Sequence, residues 1–282
     1  MRSSLSGLLG AILVLLTLDN RPLLVAGQDS SAFGWKDITF FDEFHEKQWK
    51  DGVIWFDIDP NLSPRVVSAI YYVVNYVNQL PNLCVKWLQR YPYKFDSNIK
   101  DYISFVDFMD TKKNPVCSVI VNRSGGQQGL RLGPYCIILR LTDVRGNLVL
   151  ESAILHEMFH AMGLEHEHQR PDRDCFMYVA SSLGNDRGAY GIINGSEILS
   201  GFPYDYNSIT HYTVTRSEFH VHDDPNREIG RVNATMSELD LHKLSSLYCG
   251  RKTYCEEHDS CASFYDYAKT NPRCWRKGPE YN

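Results

Sequence analysis

The sequence predicts an α+β fold with two unlike halves. In the first half, short segments have the composition of β-strands and longer segments have the periodicity of helices. The strand-like segments are 52–59, 84–88, 102–108, 117–122 and 136–141. The stretch 163–236 is rich in Gly, Pro, Asn and Tyr and has little periodicity, so we expect it to be mostly irregular. A final helix is predicted after it.

Local start signals support the helices. Ser63 and Pro64 are typical of an N-cap followed by a first helical residue. Ser237 and Asp240 resemble a capping box that opens the last helix. The glycines and glutamines of 125–129 predict a turn between strands. The three helices are predicted over 64–80, 151–162 and 237–248.

The composition excludes several classes of protein. The chain has 282 residues, a formal net charge of −5 and a pI near 6.1. This length allows one domain as large as a typical enzyme domain with extra segments, or two small domains. The acidic balance argues against a nucleic-acid partner, because such proteins carry basic patches. The hydrophobic share of 43% is too high for an intrinsically disordered chain.

The amino-terminal residues predict export from the cell. Arg2 precedes an apolar run over 5–18, which is too short to cross a bilayer but suits the core of a signal peptide. We therefore expect a signal peptide over 1–27, no membrane span and a secreted, extracellular protein. Eight cysteines, an even number, are typical of disulfides formed in an oxidising compartment. Four sequons are candidates for glycosylation, at Asn61, Asn122, Asn194 and Asn233.

The residues that predict chemistry are concentrated in the sequence HEMFHAMGLEH, which starts at His156. His156 and His160 are four residues apart on a predicted helix, so both imidazoles project from one face and can reach one Zn²⁺. Glu157 is placed to contact a metal-bound water rather than the metal. Gly163 can take a left-handed conformation that ends the helix, and the chain can then turn back to supply His166.

Three histidine ligands predict one catalytic zinc ion per chain. Structural zinc sites use four protein ligands, whereas three ligands leave a coordination position open for chemistry. The alternative interpretation is an amphipathic helix with incidental surface histidines. We expect His168 to be exposed or hydrogen-bonded. His220 and His222 could form a second metal pair, although the sequence offers no obvious third ligand.

The extended motif HExxHxxGxxH is that of the metzincins, and its continuation resembles the astacin family of zinc endopeptidases. The matching residues of this continuation are Glu167, Arg170, Asp172 and Arg173. The stretch 204–212 is similar to the astacin Met-turn, and 237–249 is similar to the terminal helix. The resemblance implies a metzincin-type fold: an N-terminal mixed β-sheet with two long helices, a mostly irregular C-terminal subdomain with a final helix, and a zinc cleft between them.

The resemblance also implies a role for each matching residue. His156, His160 and His166 would bind zinc, and Glu157 would act as general base and then as general acid. Tyr212 would be an additional, displaceable zinc ligand that moves to stabilise the transition-state oxyanion.

Further features of the family concern activation and disulfides. Glu167 would form a buried ion pair or water bridge with the mature amino terminus, which should lie near Phe40. The cysteines that correspond to paired cysteines in the family are Cys84 with Cys249 and Cys117 with Cys136. Three connectivities then remain possible for Cys175, Cys255, Cys261 and Cys274. The implied organisation is a signal peptide at 1–27, a short pro-segment at 28–39, a peptidase domain at 40–250 and a cysteine-containing tail at 251–282.

The sequence departs from the family's pattern in three places. Thr210 replaces the methionine of the Met-turn, so we expect it to lie under the zinc and to affect stability rather than activity. A buried hydroxyl at this position would need a hydrogen-bond partner. Residues 143–147 suggest an inserted turn. The pro-segment aspartate that occupies zinc in the family's zymogens has no clear counterpart, and the candidates are Asp29, Asp37 and Asp42.

Together these observations predict a secreted, monomeric zinc endopeptidase that acts on proteins or peptides. A zinc-activated water would attack the scissile carbonyl with Glu157 as general base. An extended substrate would pair with the strand 102–108 by β-strand addition. Two alternatives remain: a catalytically silent secreted binding protein on the same scaffold, and a metal hydrolase that acts on non-peptide substrates.

Overall fold

The computed structural model describes residues 47–91, 98–107, 117–133, 150–170, 172–184, 187–193, 201–213, 217–230 and 235–259. The helices are α1 (Pro64–Asn78), α2 (Leu150–Ala161), α3 (Ser181–Gly184), α4 (Arg187–Tyr190), α5 (Glu238–Cys249) and α6 (Tyr254–His258). The strands are β1 (Val53–Ile58), β2 (Lys86–Gln89), β3 (Tyr102–Val106), β4 (Cys117–Ser118), β5 (Gln127–Leu132), β6 (Met177–Val179) and β7 (Phe219–Val221). The signal peptide, the pro-segment, the strand at 136–141 and the inserted turn at 143–147 lie outside the described residues and stay predictions, as do the domain boundaries.

The first half contains a five-stranded mixed sheet in the order β2-β1-β3-β5-β4. β1 pairs in parallel with β2 and with β3, and β3 pairs in parallel with β5. β4 runs antiparallel to β5 at one end of the sheet. The two long helices α1 and α2 pack against one another. These features confirm the predicted α+β fold with a mixed N-terminal sheet.

Helix α1 provides much of the core of this half. Ser63 caps its start, because its Oγ accepts a hydrogen bond from the Val66 N–H. At the other end, the amide of Asn78 accepts from the Trp87 N–H at 2.8 Å and donates to the Trp87 carbonyl at 2.9 Å, which joins the helix to β2. The buried residues of α1 recur at helical spacing and are Val66, Ala69, Ile70, Val73, Val74 and Val77.

Two predictions about strand boundaries are wrong. The segment 125–129 bends only at Gly125 and Gly126, which have φ of 85° and 69°, and Gln127 already begins β5. Pairing of this segment with β3 outweighs the low intrinsic strand preference of Gly. The predicted strand at 117–122 is confined to β4. Asn122, four residues after the end of β4, has a φ of 63°, which is incompatible with a continuing strand.

A peptide cannot add to β3 as predicted for 102–108. Both edges of β3 are already hydrogen-bonded, one to β1 and the other to β5. The sheet ends in β2 on one side and in β4 on the other, and β4 pairs with β5 alone in the described sheet. The backbone N–H of Asn122 donates to the His160 carbonyl at 2.9 Å, so the chain that follows β4 contacts helix α2.

One disulfide expected from the family resemblance is present, between Cys84 and Cys249. It joins the segment before β2 to the last residue of α5. Three other described cysteines are also half-cystines, and their partners lie outside the described residues: Cys117, Cys175 and Cys255. The pairing of Cys117 with Cys136 therefore stays a prediction.

Two predictions concern the exposed parts of the protein: the absence of a membrane span and the candidate glycosylation sites. In the part of the chain that the structure describes, no helix combines the length and apolar character needed to cross a membrane. Asn122 is only 5% exposed, and its glycosylation stays a prediction. Asn61 is exposed and stays a candidate. Asn194 and Asn233 lie outside the described residues.

Candidate metal centre

Three histidines converge at the carboxyl end of α2. His156 and His160 lie on the helix, one turn apart, and His166 follows the turn that ends it. One ring nitrogen of each histidine lies within 4.8 Å of the corresponding atoms of the other two. The structure therefore brings together all three residues that the motif predicted as ligands.

Gly163 produces the chain reversal on which this convergence depends. It has a φ of 111°, in the region that glycine adopts readily. Its N–H donates to the His160 carbonyl at 2.8 Å, and the Leu164 N–H donates to the Phe159 carbonyl at 3.1 Å. These two bonds form a Schellman motif, which satisfies the last carbonyl groups of the helix. The reversal brings the His166 ring to 4.4 Å from the His160 ring, measured between centroids.

Hydrogen bonds on the far side of the two helical histidines fix their tautomers. Nδ1 of His156 lies 2.7 Å from the carbonyl oxygen of Ile209. Nδ1 of His160 contacts the carbonyl oxygen of Leu164. Because a carbonyl oxygen only accepts hydrogen bonds, each Nδ1 carries the hydrogen and each Nε2 presents a lone pair to the centre.

His166 is held in a different way, by a side chain. Its Nδ1 lies 3.0 Å from Oε1 of Gln169. The other atom of the same amide, Nε2, donates to the Gly191 carbonyl at 3.0 Å. The role of Gln169 does not follow from local sequence, because the carbonyl that orients its amide belongs to a segment 22 residues away.

The positions of the nitrogens fit a bound zinc ion. Nε2 of His156 and Nε2 of His160 are 3.0 Å apart, yet neither carries a hydrogen that the other could accept. Two lone pairs at this distance repel one another unless a cation lies between them. Neutral imidazole nitrogens are preferred zinc ligands, and their Nδ1–H groups usually bond to carbonyl or carboxylate oxygens as they do here.

Glu157 and Tyr212, the two predicted catalytic residues, both adjoin the histidines. Glu157 follows His156 in α2 and is buried at 4% exposure. The ring of Tyr212 packs edge-on against the ring of His166, with 4.8 Å between centroids. It also stacks on the ring of His168 at 4.1 Å. Tyr190 makes a further ring contact at 5.7 Å, so the hydroxyl of Tyr212 is carried by a ring with three aromatic contacts.

Glu167 lies at the centre of a buried charge cluster beside His166. Its Oε2 accepts from Nζ of Lys243 at 2.6 Å. Its Oε1 accepts from Arg170 at 2.9 Å and from the Asp205 N–H at 2.8 Å. Burial opposes ionisation, but the ion pairs with Lys243 and Arg170 outweigh it and lower the pKa of Glu167 to about 2. The mature amino terminus, the partner that the resemblance implied, lies outside the described residues.

Thr210 belongs to a buried turn that supports the histidines. It is 1% exposed, and its Oγ1 lies 2.9 Å from Oγ of Ser208, which supplies the partner that a buried hydroxyl needs. Ile209 provides the carbonyl that orients His156. Asp240 accepts from the Ile209 N–H at 2.8 Å and from Ser208 Oγ at 2.7 Å, so α5 holds the turn in place. Burial raises the pKa of Asp240 to about 6.

Two further histidines near the centre are buried and neutral. Nε2 of His168 donates to the Ala189 carbonyl at 2.8 Å, and burial lowers the pKa of His168 to about 3. Nδ1 of His211 donates to the Tyr212 carbonyl at 2.6 Å, so its Nε2 accepts from the Tyr204 hydroxyl at 2.8 Å. Burial lowers the pKa of His211 to about 4. His168 is therefore hydrogen-bonded, one of the two expected states, and it is not exposed.

The possible second metal pair gains no third ligand from the described residues. Nε2 of His222 bonds to the carbonyl oxygen of Asp174 at 2.9 Å. The ring of His220 stacks on Tyr178, with 4.8 Å between centroids. Across the described ranges, only His156, His160 and His166 form a group of His, Cys, Asp or Glu residues close enough to hold a metal ion.

A match to a family model decides the family of this protein. The model described as Astacin, a peptidase family, matches residues 41–249, which include the metal centre and all the long helices. The chain belongs to the astacin family. The astacin resemblance seen in the motifs is thus confirmed over most of the chain.

Two curated proteins illustrate the similarity of this chain to other members of the family. Zinc metalloproteinase nas-39 of Caenorhabditis elegans is 30% identical over 216 residues, which are 72% of this chain and 21% of that protein. High choriolytic enzyme 1 of Oryzias latipes is 30% identical over 172 residues, or 58% of this chain and 55% of that protein. The chain thus spans about a fifth to about half of the length of these curated relatives.

A solved structure agrees with the fold. The structure of High choriolytic enzyme 1, a hatching enzyme zinc-protease from Oryzias latipes, is 25% identical and superposes with a TM-score of 0.54. The alignment covers 80% of this chain and 98% of that chain. The astacin fold therefore extends beyond the residues of the zinc motif.

Proposed function

We propose that this chain is a secreted zinc-dependent endopeptidase that hydrolyses peptide bonds in protein substrates. The observation that carries the proposal is the convergence of three imidazoles whose Nδ1–H groups are bonded away from the centre. This leaves three Nε2 lone pairs for one metal ion. The family and the names of its relatives support proteins or peptides as substrates. The disulfide between Cys84 and Cys249 supports export to an oxidising compartment.

Zinc, when bound, supplies a Lewis acid that polarises a water molecule and the scissile carbonyl. Glu157 is the general base that removes a proton from the attacking water. Its carboxyl group then delivers this proton to the leaving amine as the carbon–nitrogen bond breaks. The oxygen of the water becomes part of the new carboxylate, and no covalent bond to the protein forms.

Tyr212 is the proposed donor to the oxyanion. Negative charge develops on the carbonyl oxygen during attack, and a pre-positioned O–H group stabilises it more in the transition state than in the substrate. The edge contact with His166 and the stack on His168 support this role, because they hold the Tyr212 ring beside the metal centre.

The proposed position of the substrate is the edge of β4. This strand ends the sheet, so an extended peptide can hydrogen-bond to its outer side. The Asn122 N–H bond to the His160 carbonyl supports this position, since it holds the chain after β4 against the helix that bears two of the histidines. A peptide bound at β4 would then run past the metal centre.

Two variants test the roles of these residues in a casein cleavage assay. Glu157→Ala should bind zinc like the wild type but lose about 10²–10⁴-fold in cleavage rate, the usual contribution of a general base. Tyr212→Phe should also keep zinc and should lower kcat more than it changes KM, because the hydroxyl acts in the transition state. Zinc content is measured on the same preparations. Glu151→Ala, at the start of the same helix, is the control and should cleave casein normally.

The same assay separates the alternative functions. Wild-type cleavage should stop when a chelator removes zinc and return when zinc is restored. A folded, zinc-loaded protein that cleaves no protein substrate would favour the two alternatives, the silent binding protein and the hydrolase of non-peptide substrates. If Glu157→Ala protein cleaves casein at the wild-type rate, the mechanism is wrong.

A further inference from the structure

The three candidate zinc ligands differ in what holds their rings. His156 and His160 donate their Nδ1 hydrogens to backbone carbonyls, which no substitution removes. His166 donates to the side chain of Gln169 at 3.0 Å. We propose that Gln169 is the positioning residue for His166, an inference that rests on the proposed zinc-dependent function.

The surroundings of Gln169 determine which way its amide points. Its side chain is buried at 5% exposure, and its Nε2 donates to the Gly191 carbonyl at 3.0 Å. An amide turned the other way would place its oxygen against that carbonyl oxygen, where both groups only accept. Oε1 therefore faces the imidazole and accepts the Nδ1 hydrogen of His166.

The backbone of Gln169 is fixed by the same segment. The Ile193 N–H donates to the Gln169 carbonyl at 2.9 Å, next to the side-chain bond to Gly191. Two bonds from one short segment thus hold the residue, and a third from the Gln169 N–H to the His166 carbonyl, at 3.0 Å, closes the turn. The amide is therefore rigid before any metal binds.

His166 needs such a partner more than the other two ligands do. It follows the reversal at Gly163 and lies in a short turn, not on the long helix α2. Its ring is half-buried, so packing restrains it less than the fully buried rings of His156 and His160. Gln169 sets the tautomer of the His166 ring and aims its Nε2 at the metal position. Removing such an outer partner typically weakens metal binding about 10–100-fold.

The test compares zinc affinity, measured by competition with a chromogenic chelator, in the full-length wild type and four full-length variants. Gln169→Leu removes the acceptor, and Gln169→Asn keeps an amide that is one methylene too short to reach His166. Gln128→Leu is the matched control. Gln128 is also buried, and its amide also makes two hydrogen bonds, from the Ser124 N–H and to the Asn122 carbonyl, both at 2.8 Å. Neither of its partners is an imidazole.

We expect both Gln169 variants to raise the zinc Kd about 10–100-fold, while Gln128→Leu leaves it close to the wild-type value. Gln169→Glu keeps an acceptor for the Nδ1 hydrogen of His166 but loses the donor to the Gly191 carbonyl, so its zinc Kd should lie between those of the wild type and Gln169→Leu. Gln169→Asn carries the test if Gln169→Leu fails to fold. Wild-type zinc affinity in Gln169→Asn, and in Gln169→Leu if that variant folds, would overturn the inference and leave the peptidase proposal intact. A wild-type protein that binds no zinc would overturn both.

Discussion

Thr210 is a buried polar residue that directly follows Ile209, the residue whose carbonyl orients His156. Its hydroxyl group has a hydrogen-bond partner, the hydroxyl group of Ser208. Asp240 is an acceptor when ionised, so the single hydroxyl hydrogen of Ser208 points to its carboxylate. Thr210 must then donate to Ser208 Oγ, which also accepts from the Thr210 N–H at 3.1 Å. This chain of hydrogen bonds explains how a buried hydroxyl is tolerated where the family has a methionine.

Substitution of Thr210 by valine should lower stability and leave the metal centre intact. Thr210→Val keeps the shape of the side chain but removes one buried hydrogen bond, so the free energy of unfolding should fall by about 1 kcal/mol in a urea titration. Zinc content should not change, because Thr210 bonds to Ser208 rather than to a candidate ligand. Thr213→Val, at an exposed position, is the control. Loss of zinc from Thr210→Val protein would contradict this separation of roles.

At the scale of single residues, the sequence predicts the candidate zinc ligands better than it predicts the residues that hold the site in place. Two of the site's features follow from local spacing: His156 with His160 one turn apart, and Gly163 ending the helix. Lys243 could not be found in this way, because its partner Glu167 lies 76 residues earlier in the chain. Contacts over such distances depend on how the elements pack, which periodicity does not record.

At the scale of elements, α5 acts on the metal centre through its first turn. Asp240 completes the capping box with Ser237 and at the same time accepts from the Ile209 N–H. The Ile209 carbonyl in turn accepts from His156. The sequence predicts the capping box correctly from Ser237 and Asp240. It does not reveal the second use of Asp240, because a capping box needs only neighbouring residues whereas the bond to Ile209 needs the folded turn.

The proposed substrate strand can be tested by hydrogen–deuterium exchange. A peptide-like inhibitor that pairs with the outer edge of β4 should slow exchange of the backbone amides over 117–120. Exchange in β3 should not change, since β1 and β5 already occupy both of its edges. The matched measurement uses the same inhibitor on Glu157→Ala protein, in which we expect zinc to stay bound and cleavage to be lost. Protection of β3 without protection of β4 would contradict the proposed position.

Across the whole molecule, one covalent bond links the beginning and the end of the described fold. The disulfide between Cys84 and Cys249 spans 165 residues of sequence, and the segment between these cysteines contains most of the sheet and the entire metal centre. Cross-linking so distant a pair strongly restricts the unfolded chain. The packing of α5 against the first half is therefore reinforced by a bond that does not depend on zinc.

Removal of this disulfide should destabilise the protein as a whole. The double variant Cys84→Ser with Cys249→Ser should lose about 2–5 kcal/mol in the free energy of unfolding, because the unfolded chain gains freedom. Urea unfolding at saturating zinc measures the change, and the double variant avoids a free thiol. The zinc affinity of the folded variant is the control and should stay near the wild-type value. Unchanged stability would show that packing alone holds α5.

The dependence of the metal centre on α5 has a consequence for synthesis on the ribosome. A nascent chain that has reached residue 236 already contains His156, His160 and His166. It still lacks Asp240, which holds the turn behind the first of these rings, and Lys243, which neutralises Glu167 beside the last. During translation the candidate ligands therefore emerge well before the residues that hold them, and the proposed zinc centre is complete only when α5 has emerged.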